Sequence, residues 1–426
     1  MVLRKSSKSK PKKRQIAKAR SGKRKNRKAR NKCCARRKAS ARQRQRARGL
    51  DEKLLLRVSR SIFGSLLHHK QVLSIALVTL GVIYSVRMTI HAMGAAMAKA
   101  RGHGCSKHGI KQVDRFMSNS KLKPVEMRQG LVTAVVGNKK YINVSLDWTD
   151  FDKDDQSTLA LSLIMGHGRA IPIVWFTARK SRLKDRQTLY ERTAVQMLRD
   201  ALPAGVQVTL LADRGFGNTI FFDHLQSIPN IDFVIRFRQN FYLDSDRFSG
   251  KAAEAVYKNG RIRVFRKALL TSDKKGPYTV VLYKAAKMKD PWCLATSLDA
   301  GNGVELVRMY SRRFECEESF RDLKDWRFGL ALKHTKIKNE NRRERLLFAF
   351  ALAAFLLTLV GIESERHNCD RLLRANTSTK RTHSLFRQGR EIVGGALPDW
   401  LERKCLKAVR KLITIALKQG FSHAMA

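Results

Sequence analysis

The chain has 426 residues, 43% of them hydrophobic, and carries 87 Lys and Arg against 35 Asp and Glu, a formal charge of +52. That hydrophobic share is ordinary for a folded protein and the length suits two or more domains, which excludes disorder throughout. A charge this large repels itself unless a polyanion answers it; nucleic acid is the first candidate and an anionic membrane the second.

Residues 1–50 hold 23 of the basic residues and no acid, leaving 64 basic and 35 acidic residues to the rest. With like charge and almost no large apolar side chains, this segment reads as a disordered basic arm lying on phosphates. It lacks the apolar core of a secretory signal, so the protein is expected in the cytoplasm, associated with the nucleoid. Residues 51–136 read as a helical DNA-binding domain. Within it, HGIKQVDRFMSNSKLKP spaces Ile110, Val113, Phe116 and Met117 three to four apart among basic residues, which suits the second half of a helix-turn-helix unit. Two apolar runs, Val72–Val86 and Leu346–Ile362, are 15 and 17 residues long. Both fall short of the roughly 20 residues a bilayer core requires, so each is expected to be a buried core helix, with no membrane partner.

From about 137 strands take over. YINVSLDWTD alternates Ile142, Val144 and Leu146; STLALSLIMG and AIPIVWFTAR follow. KDRQTLYERTAVQMLRDAL has a helical period, QVTLLADRG reads as a strand buried on both faces, and a helix near Asn218–Ile228 precedes the strand DFVIRFR. The predicted fold class is therefore α/β with a mixed sheet: a first part of the core at 137–238, a β-rich insertion at 239–297, a second part at 298–362 and a C-terminal helical region at 363–426. No G-x-x-x-x-G-K-[ST] occurs, so chemistry driven by ATP has no support.

Two acids end strands. Asp147 closes the first, with Asp150 and Asp152 as competitors, and Asp213 closes the apolar QVTLLAD strand. The carboxyl edge of an α/β sheet is where sites are commonly assembled. In YSRRFECEESFRDLK, read as one continuous helix, Tyr310, Arg313, Glu317 and Lys324 share an arc of roughly 60°. Glu317 is then the one carboxylate in a cationic stripe, suited to hold a metal beside bound phosphates. Phosphodiester cleavage by two metal ions needs oxygen ligands for two hard cations about 3.5–4 Å apart, and three acids suffice if one bridges.

The string Tyr310-x2-Arg313-x3-Glu317-x6-Lys324 resembles the signature of the insertion-sequence-four family of DDE transposases. SLDWTD and LLADRGFG are similar to its first and second acid motifs, and THSLFRQG extends the resemblance to about residues 100–390. The resemblance implies a ribonuclease H-like catalytic core preceded by a helical DNA-binding domain, with Asp147, Asp213 and Glu317 as the metal-binding triad. It further implies two Mg²⁺ ions, which Mn²⁺ can replace. Tyr310, Arg313 and Lys324 would contact DNA phosphates, and Trp292, in DPWCLATS, would stack on a flipped base or else be a buried strand tryptophan. The implied activity is cut-and-paste transposition on double-stranded DNA, cleaving at terminal inverted repeats of an insertion sequence and joining to target DNA, with a hairpin as one route and a homodimer in the synaptic complex. The alternatives are a non-catalytic or domesticated DNA-binding protein and a simple two-metal nuclease. The basic arm departs from the family, whose members commonly begin with a shorter, less basic segment.

Overall fold

The computed structural model describes residues 50–425 apart from Gly104, Lys258, Ala300, Gly301, Trp326 and Phe328. The predicted arm therefore lies outside the described residues, save Leu50. Five helices come first: α1 (Glu52–Phe63), α2 (His69–Tyr84), α3 (Ile90–Ala100), α4 (Ser106–Ser118) and α5 (Pro124–Val136). Their starts follow from local chemistry. Asp51 accepts from the Leu54 amide at 2.8 Å, His68 and Gln71 cap α2 reciprocally, and Thr89 accepts from the Ala92 amide at 3.1 Å. Helices α3 and α4 cross where Gly94 meets Gly109. A Cβ at Gly109 would fall 2.2 Å from the Gly94 carbonyl oxygen, so only glycine lets these backbones approach so closely.

The strands are β1 (Tyr141–Phe151), β2 (Gln156–Ile164), β3 (Ala170–Arg179), β4 (Gln207–Ala212), β5 (Ile231–Arg236), β6 (Tyr242–Ser245), β7 (Phe248–Lys251), β8 (Arg263–Leu270), β9 (Lys275–Tyr283) and β10 (Trp292–Thr296). They form one ten-stranded sheet in the order β3-β2-β1-β4-β5-β10-β9-β8-β6-β7. β1, β2 and β3 are antiparallel neighbours, whereas β4 runs parallel to β1 and β5 parallel to β4. Helix α6 (Gln187–Ala201) links β3 to β4, and α7 (Thr219–Gln226) links β4 to β5. This is the expected mixed α/β sheet. The strands of residues 239–297 do not stand apart from it, because β10 pairs antiparallel with β5 and continues the same ladder.

After the sheet come α8 (Gly303–Ser311), α9 (Phe314–Lys324), α10 (Glu340–Arg366), α11 (Leu385–Val393), α12 (Asp399–Gln419) and the short α13 (Phe421–Ala424). One sequence expectation changes here, and another, the buried core helix at Leu346–Ile362, holds within a longer element. The helix opening near Val304 is not continuous: the Arg312 amide bonds the Met309 carbonyl at 3.1 Å and the Arg313 amide the Tyr310 carbonyl at 3.0 Å, tight three-residue turns that separate α8 from α9. The apolar run Leu346–Ile362 belongs to a helix of 27 residues, long and apolar enough to cross a membrane by length and composition, but its apolar stretch is wholly buried inside the fold. Helix α10 packs on β3, on α2, α4 and α5 and on α11 and α12, so the N-terminal helices share one core with the sheet.

Candidate active site

Strand pairing alone brings the two aspartates together. In the parallel ladder Leu146 faces Ala212, so Asp147 and Asp213 follow at equivalent positions where that pairing ends. Asp213 does lie just past the end of β4, but Asp147 does not close β1 as expected: β1 runs on to Phe151 because its pairing with β2 continues beyond its pairing with β4. Asp213 starts the turn that leaves β4 and accepts from the Gly215 amide at 2.7 Å. The competing acids, Asp150 and Asp152, are bridged instead by the exposed Lys180 ammonium at 2.7 and 2.6 Å.

Glu317 comes from α9, and the β2–β3 turn holds that helix in place. The Gly166 amide donates to Glu315 at 3.2 Å, the Ala170 amide to the Ser319 hydroxyl at 2.8 Å, and Arg169 pairs with the buried Asp322 at 2.7 Å. On its sheet-facing side Cys316 lies 3.8 Å from the Ser162 hydroxyl of β2. These contacts lay α9 across the end of β1 and present Glu317 to Asp147.

Arg313 stands between the carboxylates. Its guanidinium is 2.7 Å from Glu317 and 3.8 Å from Asp147, buried over the Phe314 ring at 4.6 Å, and its Nε has no hydrogen-bond partner. Burial pushes the Asp147 carboxyl up to about 7; the Arg313 guanidinium opposes this rise, while the neighbouring Asp213 and Glu317 carboxylates add to it. A half-buried carboxylate with two others nearby marks a place where positive charge is stabilising. Three carboxylates with no nitrogen or sulfur ligand make a donor set suited to a hard divalent cation. Among the described residues no group of three or more His, Cys, Asp or Glu is drawn to metal-holding distances, so the three acids converge without closing on one point.

The remaining sequence-predicted residues divide. Lys324 lies in the same cavity as Asp147 and Glu317, with its ammonium 3.5 Å from the Asp150 carbonyl, and desolvation lowers its pKa from the ordinary lysine value. Tyr310 is buried, its ring set edge-on to Trp292 at 4.9 Å, so here it backs Arg313 and does not face solvent. Trp292 is half-buried at the start of β10, stacked 6.3 Å from Phe314. Sequence reasoning missed three neighbours. Phe314 lies beside Arg313 and is 43% exposed. Lys333 and His334 line the cavity of about 590 Å³ that holds Asp147, Glu317 and Lys324. A loop separates these two from the signature, and no spacing rule reaches across it.

Residues 177–356 match the family model of the transposase DDE domain. The matched stretch contains Asp213, Glu317 and the whole Tyr310–Lys324 string, and Asp147 precedes it. No curated protein matches the chain. The match supports a transposase function and implies that DNA is bound.

Proposed function

We propose that the protein is a DNA transposase of the insertion-sequence-four kind, which cuts at the terminal inverted repeats of an insertion sequence and transfers the freed strand to target DNA. The observation that carries this reading is the register that sets Asp147 and Asp213 at equivalent positions where the parallel β1/β4 pairing ends, with Arg313 bridging Asp147 to Glu317 of α9. The strand order β3-β2-β1-β4-β5, three antiparallel strands followed by two parallel ones, supports a ribonuclease H-like core. Asp147, Asp213 and Glu317 would hold two Mg²⁺ ions, or Mn²⁺, which when bound supply an activated nucleophile and charge neutralisation at the phosphate.

The chain's own groups do the rest. Lys324, which lines the cavity, receives phosphate oxygens and offsets charge that develops there, while the buried Arg313 guanidinium holds Glu317 and offsets the charge of Asp147. Tyr310 keeps the Arg313 guanidinium in position, and the Trp292 and Phe314 rings offer an aromatic surface to a base displaced from the stack. The helices of residues 51–136 and the basic arm contact the transposon ends, and two copies pair in the synaptic complex, with a hairpin as the intermediate between cleavage and joining. A binder without catalysis needs cations but gains nothing from burying Asp147 against two further carboxylates.

The test is strand cleavage on duplexes carrying the terminal repeats with Mg²⁺ or Mn²⁺. Wild type is expected to release a 3′-hydroxyl end, whereas Asp147→Ala, Asp213→Ala and Glu317→Ala each lose at least 100-fold in rate, about 3 kcal/mol of barrier, while retaining DNA binding. Wild type that never cuts, or variants that cut as well as wild type, would overturn the reading.

A further inference from the structure

Arg343, on the first turns of α10, is the largest fully buried side chain of the described residues, and no motif includes it. Burying a guanidinium is costly unless several acceptors meet it, so the groups that meet it indicate what it is for. Its Nη2 pairs with Asp154 at 2.7 Å and donates to the Ile337 carbonyl at 3.3 Å, and its Nε donates to Gln156. Asp154 also accepts from the Ile337 amide at 3.4 Å. The guanidinium lies 3.9 Å from the centre of the Phe151 ring, and the Lys324 ammonium lies 5.7 Å from the same ring. One buried cation thus ties together the β1–β2 turn, the segment that runs from Lys333 to Ile337, and the ring over which Lys324 is held.

Lys324 and Lys333 both line the cavity that contains Asp147 and Glu317. Lys324 is held over the Phe151 ring that Arg343 also touches, and Lys333 begins the short segment that Ile337 anchors to Arg343 and Asp154, so both lysines are tied to the same buried cation. The Lys333 charge, after desolvation, helps to lower the Lys324 pKa. Two like charges that line one cavity and are tied to one buried clamp form a preorganised receptor for the closely spaced negative charges of a phosphodiester chain. We propose that Arg343 is a positioning residue which touches no DNA but fixes Lys324 and Lys333 as a paired phosphate-binding wall facing the carboxylates. The proposal extends the transposase reading by adding Lys333 to the DNA-binding set and assigning Arg343 the work of aligning it.

The experiment measures binding without cleavage, so it stands even if the protein cuts nothing. Full-length protein is titrated against a fluorescein-labelled 30-base-pair duplex with EDTA present, across a series of KCl concentrations. The slope of log affinity against log salt falls by about one for each phosphate that the protein no longer neutralises. Lys333→Ala is expected to lower the slope by about one, Arg343→Gln by one to two, and the double variant no more than Arg343→Gln alone, because both changes disable the same lysine. An unchanged slope in folded Arg343→Gln, or single effects that simply add in the double variant, would overturn the proposal.

Arg343→Gln strands Asp154, so Phe151→Leu is the second variant. It keeps the Arg343–Asp154 pair and removes the ring that the Arg343 guanidinium and the Lys324 ammonium share. Its slope is expected to fall by about one, and Phe151→Leu/Lys324→Ala to match Lys324→Ala. A wild-type slope in Phe151→Leu would remove the ring from the proposal and with it the link from Arg343 to Lys324.

Discussion

The Asp147 carboxyl makes the strongest thermodynamic prediction. Its ordinary value is 3.8, and burial beside Asp213 and Glu317 raises it to about 7 in the folded protein. Between those two values the folded state holds a proton that the unfolded chain has released, so folding stability declines as pH rises from about 4 to about 7 and levels off above. At 1.36 kcal/mol per pH unit the full penalty is about 4 kcal/mol. The side chain is 19% exposed, and solvent screening brings the expected value to about 2–4 kcal/mol. Asp147→Asn removes the charge, keeps the shape and leaves Arg313 paired to Glu317 at 2.7 Å.

The variant should therefore be more stable than wild type by about 2–4 kcal/mol at pH 8 in EDTA, and nearly equal to it at pH 4.5. Urea unfolding at the two pH values, followed by circular dichroism, measures the difference. Adding Mn²⁺ should then stabilise wild type at pH 8 more than the variant, since a ligand that binds only the folded state adds RT ln(1 + [L]/Kd). A variant no more stable than wild type at pH 8, or a gain that does not change with pH, would refute the reasoning.

Other perturbations follow from the same geometry. Arg169→Ala leaves Asp322, on the buried side of α9, without its main counter-charge and is expected to cost about 3 kcal/mol, read as a lower urea midpoint at pH 7. The Ser384 hydroxyl, 3.3 Å from Asp322, softens that loss. Deleting residues 1–50, with their 23 basic side chains, should weaken binding to every duplex and flatten its salt dependence, while discrimination between end and non-end sequences survives in a competition assay. Loss of that discrimination alone would make the arm a sequence reader.

Much of the site could be read along the chain. Asp147 and Asp213 each follow an apolar run, and the pairing of those two runs in parallel leaves the aspartates at equivalent positions; that β1 continues past Asp147 to Phe151 was not legible, because the extension is set by its pairing with β2. The helical wheel failed at one point because nothing in Ser311-Arg312-Arg313-Phe314 marks a break. No Gly or Pro stands there, and the turn is set by how α9 docks on the β2–β3 turn. Glu317 and Lys324 still reach one cavity because both lie on α9, beyond the break. The length of α10 was hidden for a related reason. Arg343, Glu344 and Arg345 look like a solvated boundary, since charges are rarely buried. Here all three are buried and answered, by Asp154, the Thr177 amide and the Met117 carbonyl. Partners that distant in sequence are invisible to any local pattern.

The surroundings of α10 also bear on how the chain comes to be folded during synthesis. Helices α2, α4 and α5 leave the ribosome early, but the helix that covers them is completed only at Arg366. Until then their apolar faces lack the partner that makes them stable, and the sheet's β3 face is equally bare. A message cut short before residue 340 should thus yield an aggregating fragment in place of a free helical module. The nascent protein would then gain its N-terminal helices and the assembled Asp147, Asp213 and Glu317 carboxylates together.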